Sequence, residues 1–232
     1  MKSKTKAWLI IAVCFIFGGI LLAGMGAAMG GTFRYSFFFE NGHLNFTKGS
    51  DKYVTETKTV SDFEKLVVSA DTVDVNIVRD GDKYSVTYYV PEKYIPKISG
   101  DKTLNIEVPS ANGLFFNFLN FDNENPYITI NIPSDDEFKF DITASTGDIH
   151  IDGLKYEGKI ETSTGDIHLK GSKLDDLKIK TSTGDMYFEA LDGSEIKTET
   201  STGETTVKGC KFKKIDLQTS TGDIRINNSE FD

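Results

Sequence analysis

The chain reads as an all-β protein. Its C-terminal part is a single-stranded parallel β-solenoid (β-helix), preceded by one N-terminal transmembrane helix. Three observations carry that reading. Ser-Thr-Gly-Asp recurs at Ser145, Ser163, Ser182 and Ser220, with Ser-Thr-Gly-Glu at Ser201, and successive copies start 18, 19, 19 and 19 residues apart. A fixed period that short means stacked coils. Short apolar runs alternating with period two flank every copy, which is strand and not helix periodicity. Residues 7–29, a run of 23, contain no charged side chain, and about 20 apolar residues suffice for a helix to cross a bilayer.

Taken from the N-terminus, residues 1–6 form a short tail with Lys2, Lys4 and Lys6, and the lysines favour keeping that tail in the cytoplasm. Residues 7–29 are the membrane anchor, so everything after Gly30 is expected outside, at the cell membrane in single-pass topology. The alternative is secretion after signal-peptide cleavage near Gly26 or Ala28, although no clear Ala-x-Ala site is present. Val13 before Cys14 speaks against a lipoprotein, leaving Cys14 as a membrane-buried thiol. Cys210 is then the single exported cysteine, so no disulfide forms within the exported part of one chain. Cys210 aligns with Ser172 in the segments Lys208-Gly209-Cys210 and Lys170-Gly171-Ser172, which places a small residue near a corner.

Residues 30–52 read as a linker. Residues 53–135 are a degenerate β-rich start of the solenoid, with strand-like runs at 63–68, 73–78, 84–90, 103–108 and 127–132 punctuated by Gly-Asp pairs and prolines. Within it, Val68 to Ile77 aligns with Ile160 to Leu169, pairing Asp74 with Asp166 and Val75 and Ile77 with Ile167 and Leu169. The segment 112–126, with Phe115, Phe116, Phe118 and Phe121, interrupts the pattern. It is either a loop covering the core or an exposed apolar partner surface.

Residues 136–232 are the regular repeats. Ile142, Ile160, Ile179 and Leu217 stand three residues before their Ser, and the pairs Ile149/Ile151, Ile167/Leu169, Met186/Phe188, Thr205/Val207 and Ile224/Ile226 follow the motif. Each coil is expected to be a strand, a corner at Gly-Asp, a second strand and a looser return. At the corner, Gly147, Gly165, Gly184, Gly203 and Gly222 allow positive φ, and Asp148, Asp166, Asp185, Glu204 and Asp223 can accept backbone N–H bonds in an Asx-type turn. Stacking sets these acids in a column about 4.8 Å apart. Repulsion at that spacing is about 1 kcal/mol in water and roughly 3–4 at an effective dielectric of 20. Charge-assisted bonds to amides, at about 1.5–3 kcal/mol each, offset it. A bound cation is the competing reading, but the motif lacks the dense acid and glycine spacing of calcium-binding solenoid loops.

The Thr-Ser-Thr triplets invite comparison with flat Thr-x-Thr ice-binding ladders. Parity opposes this, because Thr162 and Thr164 should share the inward side with Ile160. His150 and His168 occupy equivalent outward positions on adjacent coils, but the next coils carry Tyr187, Thr206 and Arg225 there. The column is therefore variable and no metal is expected. There is no phosphate loop, zinc spacing or nucleophile elbow, and no cofactor is implied. The net charge of -9 opposes nucleic-acid binding and adsorption to anionic lipid. The final coil has little sequence to cover its edge, which invites self-association through that edge.

With anchor, acidic β-rich middle, Ile132-Pro133 and the Ser-Thr-Gly-Asp copies together, the region from Phe63 to Asp232 resembles the LiaG-like "putative adhesin" family, bacterial β-strand-repeat proteins of unknown function. The resemblance implies a membrane-anchored envelope protein, right-handed by default, and brings no catalytic residues. The function it implies is a non-catalytic adhesin-like or scaffold module of the bacterial envelope, bound to an envelope protein or glycan. The alternatives are an accessory or sensory component of an envelope-stress system and a carbohydrate-active enzyme.

Overall fold

The structure is a computed structural model that describes residues 35–40, 43–48, 52–109, 114–116 and 125–231. The anchor stretch 7–29 lies outside the described residues, and among those residues no helix is long and apolar enough to cross a membrane. The chain divides into two compact units, one of residues 1–50 with 113–123 and one of residues 51–112 with 124–232.

The smaller unit contains a three-stranded antiparallel sheet. Tyr35–Glu40 pairs with His43–Lys48 on one side and Leu114–Phe116 on the other, with Phe37 opposite Phe116 and Phe38 opposite Phe115. The stretch read as linker thus contains a hairpin, and the interrupting segment contains a strand. Apolar or aromatic residues alternate with polar ones over Tyr35 to Phe37 and Leu44 to Phe46, a strand signal that a linker reading overlooked. Phe118 and Phe121 lie outside the described residues.

The larger unit is the solenoid, built from two nine-stranded sheets. Each regular coil supplies a long strand to one and a four-residue strand to the other. The long strands are Glu137–Thr146, Lys155–Thr164, Lys173–Thr183, Asp192–Thr202 and Lys211–Thr221. The short ones are Ile149–Asp152, Ile167–Lys170, Met186–Glu189, Thr205–Lys208 and Ile224–Asn227. All these neighbours are parallel and in register, with Ile142 beside Ile160 beside Ile179 and Ile149 beside Ile167 beside Met186.

The expected loose return is strand. Leu174 and Leu177 lie in the same long strand as Ile179, all buried, and a bulge at Asp175–Asp176, opposite Glu157, resets the inward side. That bulge explains the spacing of the repeats. Tyr156 pairs with Leu174, 18 residues on, whereas Gly158 pairs with Leu177, 19 residues on. The extra residue that lengthens the period from 18 to 19 is accommodated as a β-bulge.

A second column of corners closes each coil where the short strand meets the next long one. Gly153, Gly171, Ala190, Gly209 and Asn228 hold positive φ there, from 49° to 73°. Ser172 and Cys210 follow, both buried, and each bonds back to the carbonyl two residues earlier. Cys210 is a free thiol, pushed up in pKa by burial, in the small-residue position its alignment indicates.

The aligned segment Val68 to Ile77 is a true coil. Val68 pairs with Ile142, and Val75 and Ile77 pair with Ile149 and Ile151. The coils are not stacked in chain order, however. Lys65–Ala70 and Asp74–Val78 sit directly against 137–152, while the intervening chain adds Thr103–Glu107 and Tyr127–Asn131 on their other side. Ser85–Pro91, Tyr53–Thr59 and Lys97–Ser99 then run antiparallel at that end. The degenerate region is therefore a first coil plus a mixed cap. Its core joins Tyr88, Phe138 and Phe140 to the aliphatic interior of the coils.

Candidate functional site

The corner column is the feature repeated in every coil. The backbone amide of Asp148 donates to Oδ1 of Asp74 at 2.9 Å, Asp166 to Asp148 at 2.8 Å, Asp185 to Asp166 at 2.7 Å and Glu204 to Asp185 at 2.7 Å. Each carboxylate thus accepts the amide of the acid one coil further on. An Asx-type bond within its own turn was expected, and the in-register stack replaces it with a bond between coils. This ladder holds the like charges together, as charge-assisted acceptors do. At the first step, burial raises the Asp74 carboxyl above its ordinary range, and the Asp148 amide and Asn125 draw it partly back.

Glycine is required at this corner. A Cβ on Gly165 would collide with the carbonyl of Gly147, and one on Gly184 with that of Gly165, and both residues hold φ near 144°. The column of glycines is what lets successive corners approach closely enough for the acid ladder to form.

Parity holds along the long strand and fails at its end. Thr162, Thr181 and Thr200 are buried as expected, whereas Thr164, Thr183 and Thr202 are exposed. The chain has already turned toward the glycine there, and the Thr162 hydroxyl donates to the Thr164 carbonyl at 3.3 Å. Alternation cannot be carried through a corner.

On the outward side of the short-strand sheet, the residue two after each acid forms a second column. The His150 and His168 rings stack at 4.5 Å and 7°, and His168 stacks on Tyr187 at 4.6 Å and 12°. Further along, Tyr187, Thr206 and Arg225 bond to Asp185, Glu204 and Asp223. Burial, with the His150 charge beside it, lowers the His168 pKa. The face is thus a flat set of parallel columns whose outward chemistry differs from coil to coil.

The long-strand face carries a lattice of exposed ion pairs, including Lys180 with Glu199 at 3.3 Å and Lys159 with Glu161 at 2.8 Å. Among the described residues, Glu137, Glu157 and Asp175 also converge there, with Lys139 paired to Glu157 at 2.7 Å. Sequence spacing did not reveal this group, because Asp175 sits at the bulge where simple repeat alignment slips by one.

This sequence pattern over two sheets and closed corners matches a described domain. The match to Toastrack DUF4097 spans residues 63–232. The chain belongs to the Toastrack DUF4097 family. The matched span begins at Phe63, just before the first coil, and takes in the mixed cap except Tyr53–Thr59, together with all the regular coils. No curated protein matches the chain. Similar solved structures include a "putative adhesin" from Bacteroides fragilis, 16% identical, covering 77% of this chain and 98% of its own, with a TM-score of 0.47. Another is a "putative cell adhesion protein" from Clostridium sporogenes, 14% identical, covering 76% of this chain and 99% of its own, at 0.38. A third is a "putative lipid binding protein" from Parabacteroides distasonis, 14% identical, covering 79% and 98%, at 0.31. Likenesses at that level carry no argument about what this Toastrack protein binds.

Proposed function

We propose that this protein is a non-catalytic, adhesin-like scaffold module of the bacterial envelope, displayed outside the membrane by an anchor at residues 7–29. The observation that supports this reading is the acid ladder. Four of the recurring acids, Asp74, Asp148, Asp166 and Asp185, are hydrogen-bonded to the next coil's backbone, which is an architectural use and not the paired, differently tuned carboxylates that sugar cleavage needs. What varies from coil to coil is the outward face, as a recognition surface would. Its partner is an envelope protein or a glycan, and the Phe-rich segment 112–126, with Phe115, Phe116, Phe118 and Phe121, is a candidate contact.

Photo-crosslinking in the native cells, with probes at outward positions such as Thr206 and in 112–126, tests this. Capture of one envelope component, lost when the probe is moved to a buried position such as Ile167, supports the reading. Capture only of envelope-stress signalling proteins, with stress-gene output altered on deletion and attachment unchanged, would replace it with the sensory alternative. Product formation from wall glycans that Asp166→Asn abolishes would replace it with an enzyme.

A further inference from the structure

The outward face of the long-strand sheet gathers lysines in a way that the repeat itself does not require. In the row that crosses the coils at Lys159, register places Lys178 and then Lys197 beside it, with Asp141 before them and Asp216 after. We propose that this lysine column, joined by Lys180, is a binding site for one phosphate group.

The first support is the arrangement of charge. Neighbouring strands lie about 4.8 Å apart, and like charges directly opposite each other destabilise a sheet. The next row of the same face, Glu161, Lys180 and Glu199, alternates in sign instead. Lys159 is offset by Glu161 at 2.8 Å, Lys180 by Glu199 at 3.3 Å, and Lys197 by Glu199 at 3.5 Å and Asp216 at 3.7 Å. Lys178, in the middle of the column, has no carboxylate partner among the described residues.

The second support is shape. Lys159, Lys178, Lys180 and Lys197 line a groove of about 150 Å³ together with Glu161 and Glu199. Four positive charges less two negative ones leave two, and a phosphomonoester carries about −1.5 to −2 at neutral pH. Each ammonium has three donors on a flexible stem, so the paired lysines keep their carboxylates and still turn an N–H into the groove. Lysine binds phosphate as a point charge, with no fixed fork geometry to satisfy.

The surrounding acids set the size of the ligand. Asp141 and Asp216 close the column at its ends, and Glu161 and Glu199 bound it along one side. A nucleic-acid duplex or an anionic membrane would press further negative charge against those acids, whereas a single phosphate group, free or carried on a sugar, meets only the lysines. The net charge of -9 acts in the same direction. The proposal rests on the envelope reading only for the source of the ligand.

The test is an amide NMR titration of the full-length protein in uncharged detergent with inorganic phosphate and with a glucose phosphate, beside sedimentation with phosphatidylglycerol vesicles. It is run at about 0.1 M ionic strength, where charges more than about 10 Å apart are screened. Shifts should centre on Lys159, Lys178 and Lys197. Lys178→Gln should weaken binding about threefold to fivefold at an unchanged unfolding temperature. Lys173→Gln, which removes the same charge from the same strand outside the groove, should leave the affinity unchanged. Tighter binding of the sugar phosphate would assign the group to a phosphorylated glycan, equal binding to free phosphate, and either supports the site. Absence of shifts at tens of millimolar phosphate would overturn the proposal while leaving the crosslinking result, and with it the envelope reading, as it stands. Equal weakening by the two variants would overturn it as well, and so would binding to vesicles alone, which would make this face a membrane contact.

Discussion

The interior coils and the last coil share one sequence pattern and differ in what covers them. Met186 and Phe188 are 0% and 1% exposed, whereas Ile224 and Ile226, in the equivalent strand of the last coil, are 40% and 46% exposed. The acid ladder fades at the same place. Asp185 accepts the Glu204 amide, but Glu204, with a longer side chain, bonds to Thr206 and pairs with Arg225. A coil of this protein therefore has no buried interior of its own. Burial and corner hydrogen bonding both come from the coil stacked above it.

The comparison is sharpened most by the corner glycines. Gly184→Ala places a Cβ against the Gly165 carbonyl in an interior corner fixed from both sides, and should cost about 3 kcal/mol or more in chemical denaturation. Gly222→Ala creates the same collision in the last coil, where the backbone can yield, and should cost clearly less. Gly209→Ala, with open space around its Cβ and φ 62°, should cost only about 1 kcal/mol. Equal losses at Gly184 and Gly222 would mean that the last coil is held as firmly as the interior.

Next come the core residues. Phe188→Ala should destabilise by about 3–5 kcal/mol, while Ile226→Ala should stay within about 0.5. A large loss at Ile226 in dilute monomer would show that something covers that face, and a loss that grows with protein concentration would identify a second copy. At the opposite corner, Ala190 is held at φ 54° where its neighbours in the column are mostly glycine. Ala190→Gly should therefore stabilise by about 1 kcal/mol, read as a raised denaturation midpoint at unchanged slope.

The smallest effects are in pH. Asp74 has a raised pKa in the fold, so the native state binds more protons than the unfolded chain, and its contribution falls as pH rises from about the ordinary carboxyl value of 3.8. Asp74→Asn, which keeps the acceptor for Asp148, should flatten stability across the acid range and slightly raise it at neutral pH. His168 has a lowered pKa, so its contribution is present above the ordinary value of 6.5 and is lost as pH falls through the lowered one. His168→Gln should remove that part of the loss between neutral and mildly acidic pH. Unchanged pH curves in both variants would contradict these assignments.

Much of this was legible because strand periodicity and a fixed repeat constrain each other. The inward pairs, the corner glycines, Cys210 in the Ser172 position and the first coil at Val68 to Ile77 all stand where the residues put them. What was not legible depends on geometry between coils. The amide that each acid accepts belongs to a residue 18 or 19 positions away, or 74 at the first step, and local turn chemistry points instead to its own turn. The bulge at Asp175–Asp176 was visible only as a period of 18 followed by 19. The non-sequential placement of Thr103–Glu107 and Tyr127–Asn131 leaves no periodic trace at all, and Thr164 shows that parity stops at a corner.

The central claim is that the Ser-Thr-Gly-Asp carboxylate holds coils together by accepting a backbone amide, and paired substitutions at Asp166 in chelator-treated buffer test it most directly. Asp166→Ala should lose about 1.5–3 kcal/mol and speed hydrogen exchange at the Asp185 amide, while Asp166→Asn, which retains the acceptor oxygen, should lose less than half as much and leave that amide protected. Equal losses in the two variants with the Asp185 amide still protected in Asp166→Ala would contradict the claim, and would assign the recurrence of an acid at every corner to something other than the stacking of coils.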